Sequence, residues 1–140
     1  MASAWHAVCG FWSYGRTRRL TRRIADPSTT KKVIAVSAYL YIALLAVPSE
    51  IEDEFNHLYD TGYVPNLLKV PGVESGVRYR LEWSDNEDMP EYLAVYEVDS
   101  PDVPHSPEWK NASIECGWAE RIRPHLKVRR HGMFRRLPAL

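Results

Sequence analysis

From Val33 to Val47 the chain runs fifteen residues without a charge, relieved only by Ser37, Tyr39 and Tyr41, and the run stops at Pro48. A bilayer span needs about 20 apolar residues. The run falls short of that, and its Val, Ile and Tyr content predicts a buried central strand. At Ser49 the period changes. Ser49-Glu50-Ile51-Glu52 has the S-x-x-E form, in which the serine side chain caps an early helical amide and the glutamate reaches back to the serine. Ile51, Phe55, Leu58 and Tyr59 then fall at i, i+4, i+7 and i+8, an apolar stripe, with Glu50, Glu52, Asp53, Asn56 and His57 around the other side. This spacing turns His57 toward water. Gly62 predicts the helix stop, Pro65 opens a short second helix to Lys69, and Pro71-Gly72 marks the turn out of it.

Gly76 to Trp83 alternates Val77, Tyr79, Leu81 and Trp83 with Arg78, Arg80 and Glu82, the signature of a half-buried strand. The acidic loop Ser84 to Pro90 and a second strand, Tyr92 to Val98, complete a hairpin. Asp85 to Asp88 lack the spaced ligands and glycine of a calcium loop and read as solvated. Ser106-Pro107-Glu108 supplies an N-cap, a first-turn proline and a first-turn acid, so a long helix is expected from there to about Ile122. Its apolar stripe is Trp109, Ala112, Cys116, Ala119 and Ile122, with Trp118 near an edge. Gly117 costs about 1 kcal/mol against alanine inside a helix, which asks for a packing or ligand reason. Pro124 ends the helix, and Lys127 to Leu137 reads as a last strand with basic exposed positions. The order β, α, β, β, α, β predicts an α+β, ferredoxin-like antiparallel sheet with two helices on one face. The bare sheet face exceeds what a monomer usually exposes, so self-association through the sheets is expected.

Composition changes this picture only when divided along the chain. The 140 residues are 45% hydrophobic, enough for one core, and the formal net charge is zero. That zero hides three blocks: net +6 over residues 1 to 32, net −13 over 33 to 120, and net +7 over 121 to 140. The first block has five arginines between Arg16 and Arg23, no hydrophobic period and a linker-like Ser28 to Lys32. It is expected to be a disordered basic extension of a domain spanning 33 to 140, its other readings being a targeting peptide or a phosphate-contacting arm. Cys9 and Cys116 lie far apart with no metal-like spacing and read as reduced thiols of a cytoplasmic protein. The sequon at Asn111-Ala112-Ser113 is discounted as a chance match. Nothing resembles a nucleophile triad, a phosphate-cradling glycine loop or a metal-ligand cluster, so neither cofactor nor metal is expected.

The run Glu54 to Val73 resembles the signature of the EthD-like branch of the dimeric α+β barrel superfamily. It carries Tyr59-Asp60 at a helix end, a residue two before Pro65 that is usually His, and Leu67-x-x-Val70-Pro71-Gly72. The likeness extends through Arg78-Tyr79, Tyr92 to Glu97, Ser106 to Trp109 and Arg123-Pro124, covering Tyr39 to about Leu137. It implies two protomers joined sheet to sheet, with a pocket between each sheet and its own helices. Relatives include cofactor-free oxygenases, isomerases, cyclases, decarboxylases and dehydratases, haem-handling enzymes, and proteins with no known activity. This chain departs from the pattern at Tyr63, which stands where the His usually does. A phenol titrates near 10 and an imidazole near 6.5, so Tyr63 is suited to donating a proton or orienting a carbonyl and poorly suited to acting as a base.

Through that resemblance Tyr63 and Asp60 are the candidate catalytic pair, Asp60 orienting Tyr63 or accepting from ligand. Tyr59, Tyr96, Trp109 and Trp118 are candidate aromatic walls. Arg78 is an alternative anion contact, otherwise an exposed sheet arginine, and His131 is a candidate replacement for the missing pocket His. The expected function is cofactor-free chemistry on a small hydrophobic or aromatic compound. The alternative is a homodimer that binds such a compound without altering it. Nucleic acid and membrane are not expected partners of the domain, and a phosphate-contacting N-terminal arm is the weaker third reading.

Overall fold

The structure, a computed structural model, describes residues 37 to 139. The basic extension and Cys9 lie outside the described residues. Four strands, β1 (Tyr39–Ala46), β2 (Val73–Arg80), β3 (Tyr92–Val98) and β4 (Val128–Arg135), form one antiparallel sheet in the order β2-β3-β1-β4. The apolar run beginning at Val33 thus supplies a central strand, paired with β3 and β4 on its two sides. The element order and sheet order are those of the ferredoxin-like α+β fold.

Register assigns the faces. Ala43 opposes Ala94 and Leu45 opposes Tyr92, and all four are buried under the helical layer together with Tyr96 and Val98. Phe55, Tyr59, Leu67, Trp109, Trp118 and Ile122 reach down onto them and complete a single core. Alternation sends Leu40, Ile42, Leu44, Val77, Tyr79 and Phe134 to the opposite face. Of these, Val77, Tyr79 and Phe134 are 46%, 53% and 56% exposed.

The helical layer departs from expectation at three places, each with a physical reason. Ser49 does not cap a helix: a 3-10 turn over Ser49–Ile51 comes first, and α1 (Glu52–Leu58) starts without a side-chain cap. Glu52 is engaged elsewhere, accepting the Tyr92 hydroxyl and pairing with Arg80 at 3.1 Å. Gly62 does not stop the helix. The chain passes from α1 through a π turn at Tyr59–Tyr63 directly into α2 (Val64–Leu67), with Pro65 inside its first turn. A proline in a regular α-helix loses one hydrogen bond and presses on the carbonyl four residues back, and the wider π turn before it relieves both. Gly62 instead allows close approach, because a Cβ there would lie 2.8 Å from Cβ of Cys116.

The third departure is the break of the expected long helix into α3 (Pro107–Glu115) and α4 (Trp118–Arg121). Gly117 sits between them at φ +78°, a left-handed conformation that side-chain-bearing residues adopt only at a cost. The reason for this glycine is therefore the backbone angle. The bend also carries Trp118 off the helix edge and into the core, where it is 3% exposed. At the other end the expected cap forms, with Ser106 Oγ accepting from the Trp109 amide at 3.2 Å.

Candidate functional site

Two groups of side chains stand out beneath the helices, one at the β2 edge of the sheet and one that runs from Tyr59, which both share, to His131 on β4. At the β2 edge, Glu52, Asn56 and Asp60 recur every four residues and face Arg78 and Arg80, which β2 presents on the helix side. Arg78 donates to Asp60 at 2.5 Å and to Asn56 at 2.7 Å. Its guanidinium lies 4.4 Å from the ring centre of Tyr59, 5.1 Å from Phe55 and 5.5 Å from Tyr92. The side chain is 14% exposed, so Arg78 is a clamped interior arginine and not an exposed one. A shallow cavity of about 380 Å³ opens over this network. The two bases there face two acids, so the charges close on each other.

The second group is aromatic and continuous. The rings of Tyr59, Tyr63 and Trp118 have centroids 4.8 to 4.9 Å apart. The Tyr96 and Tyr59 hydroxyls meet at 3.3 Å, and Tyr96 packs edge-on to Trp109 at 5.5 Å. Tyr41, which sequence reasoning passed over, continues the chain outward: 5.2 Å and edge-on to Trp109, then 5.5 Å from the His131 imidazole. Its position was legible, since β1 alternation places Tyr41 with Ala43 and Leu45 on the core face.

Burial sets the chemistry of these groups. It pushes the Tyr59 phenol up to about 12, against the opposing influence of its hydrogen bond with Tyr96 and of Arg78. Burial likewise raises Tyr63 and Tyr96 far above the phenol range, and Tyr41 to a lesser degree. All four therefore stay protonated at neutral pH and can donate but not abstract. His131 moves the other way. Partial desolvation, then the nearby charges of Arg129 and Arg123, hold its imidazole below the usual histidine range, so it is neutral near pH 7.

The candidates thus fall into separate places. Asp60 is bound to Arg78 at the β2 edge, while the Tyr63 ring lies among Tyr59 and Trp118. Tyr59, Tyr96, Trp109 and Trp118 are 1 to 5% exposed and pack on one another. Where the aromatic chain meets the surface, a cleft of about 160 Å³ lies between β4 and the loop before α3, lined by Tyr41, Pro101, Pro104, His105, His131 and Met133. Among the described residues there is no group of three or more His, Cys, Asp or Glu placed to hold a metal, and no helix long and apolar enough to cross a membrane.

No protein-family model matches the chain, and no curated protein matches it by sequence. Solved structures do match. An ethyl tert-butyl ether D (EthD) family protein of Bacillus halodurans superposes with a TM-score of 0.55 at 16% identity, over 71% of this chain and 98% of its own. The haem-degrader MhuD of Mycobacterium tuberculosis, solved with two haems in its active site, gives 0.51 at 16% identity, over 73% of this chain and 98% of its own. The ferredoxin-like α+β fold is therefore shared with an EthD family protein and with MhuD.

Proposed function

We propose that this chain is an EthD-like small-molecule protein. It takes a small hydrophobic or aromatic compound in the cleft between β4 and the loop before α3, and it works as a homodimer closed through the bare sheet face. The observation that carries the reading is the Tyr41–His131 pair at 5.5 Å, where the buried aromatic chain reaches the cleft. An apolar wall with one or two convergent polar groups is what small planar ligands need. His131, neutral near pH 7, can accept a proton from a bound ligand, and it takes the part that Tyr63 cannot. Tyr63, held protonated by burial, orients or donates. Arg78 holds α1 through Asn56, and the π turn through Asp60, to the sheet edge. A porphyrin is far larger than a cleft of about 160 Å³, so the residues here do not fit a haem.

The test begins with the molecule that co-purifies with the protein or, failing that, with a small panel of aromatic compounds. For any compound that turns over, His131→Gln is expected to reduce kcat by about a hundredfold or more, the usual scale of a lost general base. Tyr63→Phe should reduce it less, with the fold unchanged by circular dichroism. Unaltered turnover in His131→Gln overturns the assignment of the base. The mutual packing of Tyr59, Tyr96, Trp109 and Trp118 favours a second reading, binding without chemistry, since Tyr96 and Trp109 back the cleft through Tyr41, and Tyr59 and Trp118 pack behind them. In that case a ligand raises the melting temperature and is recovered unchanged. A product found by mass spectrometry would end it.

A further inference from the structure

We infer that the ligand of the β4 cleft is a single aromatic ring bearing a carboxylate. The inference rests on the cleft reading above and adds a size and a charge to it. Size comes first: about 160 Å³ is well under the roughly 300 to 1,000 Å³ of pockets that hold drug-sized molecules, which leaves room for one ring. The walls suit a ring face. Tyr41 and His131 lie tilted by 33° to each other, Trp109 backs Tyr41 edge-on, and Pro101, Pro104 and Met133 close the sides.

The charge follows from how β4 is laid out. His131 opposes Ala43 and Arg129 opposes Leu45, so both side chains project on the face that carries Tyr41. Two positions along a strand are separated by about 7 Å. A carboxylate bound beside His131 is therefore within reach of the exposed Arg129 side chain, which can swing toward it. Residues 121 to 140 contain seven basic residues and no acidic one, so β4 and the turn before it bring no carboxylate to compete for these groups, and Asp99 and Asp102 of the facing loop do not line the cleft. The same positive surroundings, Arg129 and Arg123, disfavour a second positive charge on His131. They favour an anion for the same electrostatic reason. The β2-edge cavity offers no such field, because Arg78 and Arg80 are already paired with Asp60 and Glu52.

An isosteric series separates shape from charge: benzoate, benzamide and benzamidine, titrated into the full chain while the His131 and Tyr41 ring resonances are followed by NMR. Benzoate is expected to shift both rings saturably and to bind about tenfold more tightly than benzamide, the worth of one charge-assisted hydrogen bond. Benzamidine should be the weakest of the three. Arg129→Gln, a change at an exposed position, should bring benzoate down to the affinity of benzamide. If benzamide matches benzoate while moving the same two rings, or if Arg129→Gln leaves the preference for benzoate intact, the carboxylate inference is overturned and the cleft reading stands. If no member of the series moves the Tyr41 and His131 resonances at millimolar concentration, the cleft reading falls and takes the inference with it.

Discussion

Removing the guanidinium of Arg78 leaves three aromatic rings and two polar side chains arranged around an empty place. Desolvated cation–π contacts and charge-assisted hydrogen bonds are each worth about 1 to 3 kcal/mol, and the exposed Asp60 end of the network counts for little. Arg78→Ala should therefore lower unfolding free energy in urea by about 2 to 4 kcal/mol, and Arg78→Lys should recover less than half, because an ammonium cannot span Asn56 and Asp60 while lying flat on Tyr59. The buried phenols make a second prediction. Tyr59 is held at about 12 in the folded protein against about 10 unfolded, so the folded form keeps its proton where the unfolded form has lost it. The stability contributed by its neutral form is complete below pH 10 and is lost as pH rises from 10 through 12. The share of the phenolate absorbance at 295 nm that belongs to the buried rings should accordingly appear only together with the loss of circular dichroism, whereas the full absorbance of all eight tyrosines in a still-folded protein would contradict the burial of these rings. Arg78 also marks a limit of sequence reading. Alternation along β2 separates Arg78 and Arg80 from Val77 and Tyr79 but cannot say which set meets the helices. Here a polar stripe of Glu52, Asn56 and Asp60 waits on the helix side, so the arginines turn inward and the apolar residues outward.

At the scale of elements, strands were more legible than helices. The alternation over 76 to 83 and 92 to 98, the apolar run from Val33 and the last strand read over Lys127 to Leu137 found all four strands, and the βαββαβ order then fixed the topology. The helical layer was misjudged where glycine and proline serve close approach and backbone angle instead of termination. Both glycines can be tested. Gly62→Ala drives a methyl group into Cys116 and should cost about 1 to 3 kcal/mol, the range of overpacked sites. Gly117→Ala meets only the end of Arg121 at 3.4 Å, so its cost, about 1 kcal/mol, is that of the left-handed backbone alone. Equal effects from the two would mean that crowding between the helices is not what Gly62 avoids. The candidate site was legible in its aromatic residues but not in its assembly. Tyr63 and Asp60 are neighbours in sequence, yet one faces the ring cluster and the other the Arg78 edge, because the π turn separates their directions.

At the scale of the whole molecule, the sheet's bare face is apolar from one edge strand to the other, from Val77 on β2 through Ile42 on β1 to Phe134 on β4. If two copies close on this face, the double variant Val77→Lys, Phe134→Lys should sediment as a monomer with its melting temperature little changed, since both positions are already exposed in one protomer. A dimer that survives both charges would have to be held through some other surface. The strand order has a kinetic consequence as well. β2 and β3 are neighbours both in sequence and in the sheet, whereas Tyr39 at the start of β1 pairs with Arg135 near the end of the chain. Long loops close slowly, so the hairpin is expected to form early and the β1–β4 ladder last. Until then the most apolar strand of the domain offers an unpaired edge to any other chain nearby. A ribosome that stalls before Val128, or a protease that trims the last strand, would leave that edge open. Such truncated chains should aggregate while the full-length protein does not.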